Sequence, residues 1–198
     1  FSYLVKVLNI TKVITTADDL LRMIELAPNK VEVTWSKWTD ETTEYNYDGY
    51  YVLGDNIDLG TTKIKVTNHT GGGPARVWDN ANFGAGFSGT FDGRGYTING
   101  GIYGEGGLFG NIWKTGVIKN VALENVSLNN EYRSAVIGIS YHGTMDNVYI
   151  HVTENNHAVD TNEYAFIATN SGSTARMNNV FIYDETPKAV YPEGFDPK

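Results

Sequence analysis

Carboxylate side chains are the residues of this sequence with the most potential for catalysis, because carbohydrate-cleaving enzymes use two or three acids that converge on one face. The candidates are Asp40, Glu41, Asp55, Asp58, Asp92 and Asp146. No spacing repeats these acids at equivalent positions, so the sequence predicts no catalytic residue. We interpret Asp58 and Asp92 as turn residues that accept backbone N–H bonds. A carbohydrate-active enzyme stays open as an alternative, and it requires Asp40, Asp79 or Asp146 to meet in one groove.

Metal-binding and phosphate-binding patterns are the next chemistry to consider, and none is complete. The histidines are His69, His142, His151 and His157. They form no His-Glu-x-x-His motif, and we interpret them as surface histidines. The oxygens of Asp55, Asn56 and Asp58 are too few for a calcium site, which favours a strand-closing turn. The Gly-rich stretch "GGGPARVWDNANFGAG" lacks the Gly-Lys-Ser/Thr of a phosphate loop, so the sequence predicts neither a metal nor a cofactor.

Aromatic side chains in loops or at loop edges are the remaining candidates for ligand binding, since sugar rings stack on flat apolar faces with polar neighbours. The candidates are Trp35, Trp38, Trp78, Trp113 and Tyr141. The same rings could instead fill gaps in the core or beneath loops, and packing is the favoured interpretation for any single ring. If they bind, the predicted partner is a glycan or another ligand on a host or wall surface.

The composition excludes several classes of function. The formal net charge is −8 and the isoelectric point is about 4.9, which leaves no basic stripe for nucleic acid. No apolar run approaches the roughly 18 residues of a membrane span, so membrane insertion is not expected. The chain has no cysteine, so disulfides and thiolate chemistry are both ruled out.

The elements that must carry these residues are mostly strands and turns. The 198 residues include 22 Gly and 20 Asn, and both residue types adopt positive φ at corners. Alternating apolar residues predict a strand within 1–15. Thr16 and Asp19 have the spacing of a capping box ahead of a helical apolar pattern, which predicts a helix over 16–27. The stretch "YYVLGDNIDLG" is predicted as one strand, and 68–86 as a long loop of functional or mobile character.

A repeat in the second half of the chain is its most informative pattern. The stretches "GLFGNIWKTGVIKNVALENV", "AVIGISYHGTMDNVYIHVTE" and "AFIATNSGSTARMNNVFIYDE" each run from an apolar entry through a polar turn into a strand with an Asn-Val pair. The asparagines are Asn120, Asn147 and Asn179, at spacings of 27 and 32 residues. Strand-turn-strand units at this spacing predict a parallel β-solenoid. We expect apolar residues to line its inside and the three asparagines to form a structural ladder of amide hydrogen bonds.

Four motifs in a fixed order extend this pattern towards the N-terminus. They are Asn56-Ile57-Asp58-Leu59, Gly89-Thr90-Phe91-Asp92-Gly93, Gly107-Leu108-Phe109-Gly110 and Ile118-Lys119-Asn120-Val121. Together they resemble the GLUG-motif domains of secreted and surface bacterial proteins, over about residues 16 to 184. The resemblance implies a right-handed parallel β-helix and an extracellular or cell-surface location. Similar segments occur in adhesin-like proteins and ahead of the protease domain of IgA-cleaving metallopeptidases, so the resemblance implies no single activity.

The predicted fold is therefore all-β: a right-handed parallel β-helix with a short N-terminal capping helix. We predict 1–15 as a leading strand or linker from a preceding domain, 16–186 as the β-helix domain and 187–198 as a C-terminal linker to flanking domains of a longer chain. The predicted function is a non-catalytic module of a secreted or cell-surface bacterial protein, which serves adhesion or ligand presentation with glycan binding. The alternatives are a carbohydrate-active lyase or hydrolase, and an accessory domain that positions substrate for a secreted protease.

Overall fold

A computed structural model describes ten parts of the chain. These parts are residues 9–26, 49–64, 87–104, 107–109, 111–112, 115–129, 136–140, 143–156, 167–169 and 175–186. Within them the chain is mostly strand, with one short helix near the N-terminus, which confirms the prediction of a strand-dominated fold with a helix at its start. The loop predicted for 68–86 and the linker predicted for 187–198 lie outside the described residues.

The helix α1 (Ala17–Leu26) begins where its capping residues predict. Thr16 Oγ1 accepts a hydrogen bond from the Asp19 backbone N–H at 3.1 Å, which satisfies one of the free N–H groups of the first turn. Leu20 and Met23, one turn apart, are buried in the core that the strands form. The helix is therefore held by its cap at one end and by its apolar face.

Eleven strands are described, and all the pairings between them are parallel. Eight form one sheet: β1 (Lys12–Ile14), β2 (Tyr50–Leu53), β3 (Ile57–Ile64), β4 (Thr90–Asp92), β5 (Thr97–Tyr103), β7 (Val117–Leu128), β9 (Thr144–Asn155) and β11 (Arg176–Asp184). Three form a second sheet: β6 (Asn111–Ile112), β8 (Gly138–Ser140) and β10 (Ile167–Thr169).

The long strand β7 pairs with two shorter strands at once. Its first residues pair with β4 and its later residues with β5, while β4 and β5 pair in the same way with β2 and β3. The long strands β9 and β11 then follow β7 in order. We call each layer a rung: β2 with β3, β4 with β5, β7, β9 and β11. The prediction of one strand over "YYVLGDNIDLG" is wrong, because residues 54–56 separate β2 from β3.

The predicted leading strand has its counterpart in β1. Lys12–Ile14 aligns with Tyr51–Leu53 of β2 and pairs with it in parallel. These residues of the segment 1–15 therefore belong to the same sheet as the later rungs. The domain boundaries themselves stay predictions.

The Asn-Val repeat places equivalent residues side by side in space. Val121 on β7 aligns with Val148 on β9, and Val148 aligns with Val180 on β11. The side chains of Val121 and Val148 are buried. The sequence spacing of the repeat is thus the spacing that brings one rung onto the next.

A second repeat, which was not predicted, precedes the rungs. Gly89, Gly116 and Gly143 stand 27 residues apart, directly before β4, β7 and β9. The carbonyl of each glycine accepts a hydrogen bond from the first backbone N–H of the following rung, at 2.8 to 3.0 Å. At Gly143 a Cβ atom would overlap the Ile112 side chain, so this corner has no room for a side chain.

Apolar residues at equivalent positions stack into columns inside the rungs. One column consists of Ile57, Ile98, Leu123, Ile150 and Ile182. Its first four members are at most 1% exposed, whereas Ile182 on the last rung is 43% exposed. Burial of a side chain of this size contributes about 1.5–3 kcal/mol. Columns of this kind are therefore a principal source of stability in the described part of the chain.

Aromatic rings fill the core beside these columns. The ring of Phe109 lies 5.1 Å from that of Phe87 and 5.2 Å from that of Phe91, and Phe87 lies 6.0 Å from Tyr51. Phe91 comes from the Gly-Thr-Phe-Asp-Gly motif and Phe109 from the Gly-Leu-Phe-Gly motif. Two motifs that are separate in sequence therefore meet through their aromatic side chains.

One buried polar group in the described part of the core is unsatisfied. The hydroxyl of Tyr103 has no hydrogen-bond partner among the described residues, and its side chain is fully buried. Burial raises the pKa of this phenol above its ordinary value, because the charged form is desolvated. An unpaired hydroxyl of this kind costs about 1–3 kcal/mol.

The column of isoleucines predicts a position-dependent loss of stability. Ile150→Ala should lower the free energy of unfolding by about 2–5 kcal/mol, because it leaves a cavity in a closed column. Ile182→Ala is the matched control, since it removes the same side chain from the same column where that residue is 43% exposed; it should cost less than about 1.5 kcal/mol. Urea unfolding followed by circular dichroism measures both. Equal losses would contradict the assignment of Ile150 to the core.

Candidate functional site: the polar corner at Asp92

The corner between β4 and β5 is built by the stretch Asp92-Gly93-Arg94-Gly95. Arg94 and Gly95 have positive φ values of 53° and 84°, and the Tyr96 N–H donates to the Gly93 carbonyl at 2.8 Å. Gly93 lies against the next rung, where a Cβ atom would come within 2.5 Å of a backbone oxygen. The glycines of this motif therefore make a tight turn that approaches another backbone.

Asp92 is the centre of a hydrogen-bonded cluster that joins three rungs. Its Oδ1 accepts bonds from the Arg94 backbone N–H and from Asn120 Nδ2, each at 3.0 Å. Its Oδ2 accepts a bond from the Tyr50 hydroxyl at 3.1 Å and lies 3.3 Å from Lys119 Nζ. The residue is only 9% exposed. Both carboxylate oxygens are thus occupied by donors from β2, β7 and the turn itself.

The electrostatics of this cluster keep both of its charged groups ionised. Burial opposes ionisation of Asp92, but hydrogen bonds from Asn120, the Arg94 N–H and Lys119 outweigh it and hold the pKa below its ordinary value of 3.8. Burial likewise opposes protonation of Lys119, but Asp92 and Tyr50 outweigh it and raise the lysine pKa above 10.5. An ionised acid with occupied oxygens and a protonated amine are poor general acids, bases or nucleophiles near neutral pH.

The asparagines predicted as a ladder occupy a strained backbone conformation at one corner. Asn120, Asn147 and Asn179 have φ values of 53°, 56° and 49°, a left-handed region that asparagine tolerates better than most residues. Asn147 Nδ2 donates a hydrogen bond to Asn120 Oδ1 at 3.1 Å. Asn120 in turn donates to Asp92, so the amide chain ends on the carboxylate.

A second ladder runs along a neighbouring corner and was missed in the sequence. Asn125 Nδ2 donates to Asn99 Oδ1 at 2.7 Å, and Asn99 Nδ2 donates to Asp58 Oδ1 at 3.1 Å. Asn125 also has positive φ, at 54°. The signal was present, because Asn125-Val126 repeats the Asn-Val pair five residues after Asn120-Val121. Each ladder therefore ends on an aspartate of an earlier rung.

His151 has a role that the sequence did not indicate. Its Nδ1 lies 2.9 Å from Glu124 Oε2 and its Nε2 lies 2.9 Å from Glu185 Oε1, and its side chain is only 18% exposed. The ring also packs against that of Tyr183, with centroids 5.3 Å apart. The interpretation of this residue as a surface histidine did not anticipate these contacts.

The described parts of the chain do not include the residues that the sequence predicts to bind a ligand. Trp35, Trp38, Trp78, Trp113 and Tyr141 all lie outside the described residues, as do Asp40 and Asp79. Of the residues weighed for calcium, Asp55 and Asp58 accept bonds from the N–H groups of Asn56 and Gly60, and Asn56 Oδ1 accepts one from the Thr97 N–H. In the described part of the chain, no group of three or more acidic or histidine side chains is arranged to hold a metal ion.

Comparison of the chain with family models, with curated proteins and with solved structures gives no match. Among the described residues, no helix has the length and apolar character that crossing a membrane requires. The fold and the contacts of the polar corners are therefore the observations from which function is inferred.

The cluster at Asp92 predicts a pH-dependent contribution to stability. Asp92→Asn should lower the free energy of unfolding by about 1–3 kcal/mol near neutral pH. The amide has one acceptor oxygen where the carboxylate has two, and it leaves Lys119 without its counter-charge. The folded-state pKa is lowered, so this contribution is present above about pH 3.8 and is lost as the pH falls through the folded-state value. The difference in the free energy of unfolding between wild type and variant should stay constant from neutral pH down to about pH 4 and become smaller below that pH.

Asp58→Asn provides the matched control for this measurement. Asp58 is an exposed corner aspartate that also accepts one backbone and one amide bond, so its replacement should cost no more than about 0.5 kcal/mol. Chemical unfolding across the pH range measures both variants. Equal losses for the two aspartates, or a difference at Asp92 that disappears well above pH 4, would contradict the assigned contacts.

Proposed function

We propose that this chain is a non-catalytic module of a secreted or cell-surface bacterial protein, built as a right-handed parallel β-helix of the GLUG type. In this role it is a rigid spacer for adhesion or ligand presentation, with a glycan or another surface ligand as its partner. The proposal rests on one observation: the polar side chains that first suggested an active site make contacts between one rung and the next.

The β-helix assignment rests on the pattern of strand pairing. The described pairings are all parallel, and β7, β9 and β11 align at the spacing of the sequence repeat. The second sheet repeats the same order, since β6, β8 and β10 pair in succession. Strands that pair with their counterparts in the next repeat, in two sheets at once, are what a solenoid requires.

The non-catalytic assignment rests on what the described acids do. Asp58 and Asp92 each end an asparagine ladder, and Glu124 and Glu185 bind the two nitrogens of one histidine. A catalytic pair would instead need acids that converge on an open groove with separated pKa values. The contacts of these four residues favour a structural role.

Glycan binding is supported by the aromatic content of the chain and by its acidic charge. The net charge of −8 disfavours anionic partners such as nucleic acid, and neutral sugar rings are free of that repulsion. The tryptophans named in the sequence analysis supply flat faces for stacking. This part of the proposal depends on those residues and not on the polar corners.

A glycan array probed with the wild-type chain, with Trp38→Ala and with Trp78→Ala tests the proposed ligand class. We expect the wild type to bind neutral glycans and at least one variant to bind about tenfold more weakly, which corresponds to a loss of about 1.4 kcal/mol. Phe181→Ala is the matched control, because it removes an aromatic ring that is 65% exposed on β11; its binding should be unchanged.

Other outcomes of the same experiment separate the alternatives. If the wild type binds no glycan, the ligand proposal is overturned while the spacer role is untouched. If incubation of the wild-type chain with bound polysaccharides releases new reducing or unsaturated ends, the chain is a carbohydrate-active enzyme and the non-catalytic assignment is wrong.

A further inference from the structure

The cluster of Glu124, His151 and Glu185 connects three successive layers of the sheet. Glu124 lies on β7, His151 on β9, and Glu185 directly follows β11. The two carboxylates contact opposite nitrogens of the imidazole, each at 2.9 Å. Because the histidine stands between the acids, the contacts bridge β7 to β9 and β9 to the end of β11.

The number of hydrogen bonds in this cluster depends on whether His151 is protonated. A neutral imidazole has one N–H, so it can donate to one carboxylate while its bare nitrogen faces the other. An imidazolium donates to both and also carries a charge opposite to each. Protonation therefore changes one bonded contact and one repulsive contact into two charge-assisted bonds.

The two carboxylates that face the ring favour its protonated form. Glu185 faces it from the segment after β11, Glu124 faces it from β7, and the Tyr183 ring of β11 lies beside it. The hydrogen bond of Glu185 raises the pKa of His151 above its ordinary value of 6.5, burial opposes the rise, and Glu124 adds to it. On β9 itself, the nearest acid toward the strand end is Glu154, which contacts Ser127 and Asn156.

The end of β11 is the element that these contacts hold. β11 is the last described rung, and its large apolar side chains Met177, Phe181, Ile182 and Tyr183 are 43 to 65% exposed. Its last residues are fixed by the Glu185 N–H, which donates to the Val152 carbonyl at 2.9 Å, and by Asp184, which accepts from Asn155 Nδ2 at 3.0 Å. Among the groups that make these contacts, histidine is the residue type whose charge ordinarily changes between pH 5 and 8.

We propose that His151 is a pH-sensitive clamp that fastens the β11 rung to β9 and β7 at mildly acidic pH and loosens it as the pH rises. The folded-state pKa is raised, so the stabilisation is fully present below about pH 6.5, down to where the glutamates protonate. It is lost as the pH rises through the folded-state value. The clamp is independent of the proposed glycan binding, since none of its residues is among the predicted ligand contacts.

Hydrogen exchange of the 198-residue chain, resolved by NMR, tests the clamp directly. After correction for the intrinsic exchange rate, protection of the β11 amides should fall about three- to tenfold between about pH 5.5 and about pH 8.5. Protection of the β7 amides should not show this fall with pH, because β7 lies between two other rungs. In His151→Gln the pH-dependent fall in protection of the β11 amides should disappear, because glutamine does not titrate.

The imidazole resonances supply a second measurement on the wild type, so the test does not depend on any variant folding. His151, assigned by comparison with His151→Gln, should titrate above 6.5, and Glu185→Gln should lower its midpoint. Glu154→Gln removes the same charge from β9 without touching the imidazole and should leave the midpoint in place. A midpoint at or below 6.5 in the wild type, or an unchanged fall in protection of the β11 amides in His151→Gln, would overturn the proposal.

Discussion

Parallel stacking of equivalent residues, one repeat apart, is the constraint on which the rest of the structure depends. Side chains alternate between the two faces of a strand, so a slip of one residue would turn an apolar column outwards. The column from Ile57 to Ile150 is buried only because each rung presents a branched apolar residue at the same position. Correct register therefore stabilises the core, and errors in register expose it.

The asparagine corners are the devices that fix this register. Asn120, Asn125 and Asn147 have left-handed backbone conformations within the long strands. Their side-chain amides donate to Asp92, Asn99 and Asn120 of the preceding rung. One ladder ends on Asp92 and the other on Asp58, while His151 joins the later rungs on the same principle. These polar side chains, which could suggest an active site, thus make contacts that connect the rungs. Under the proposed function, ligand contact is left to the tryptophans outside the described residues.

Local and periodic features could be predicted from the sequence, because they depend on neighbours in the chain. Thr16 caps the helix next to it, and the Asn-Val spacing gave the alignment of Val121 with Val148. The turn between β2 and β3 was missed although its residues, Gly54-Asp55-Asn56, are typical of a turn. The contacts of His151 were missed because Glu124 and Glu185 are 27 and 34 residues away and become neighbours only when the rungs stack.

Removal of one whole repeat tests the account most directly. Deletion of residues 117–143 joins Gly116 to Thr144, so that glycine stands before β9 as Gly143 does now and β9 can pair with β4 in place of β7. The account predicts a folded, strand-rich chain with a cooperative but lower thermal transition, because repeat structures depend on nearest-neighbour interfaces. Deletion of 117–130, about half a repeat, should abolish folding because it breaks the register. If the whole-repeat deletion unfolds as completely as the half-repeat deletion, stacking of equivalent rungs is not the principle of this fold.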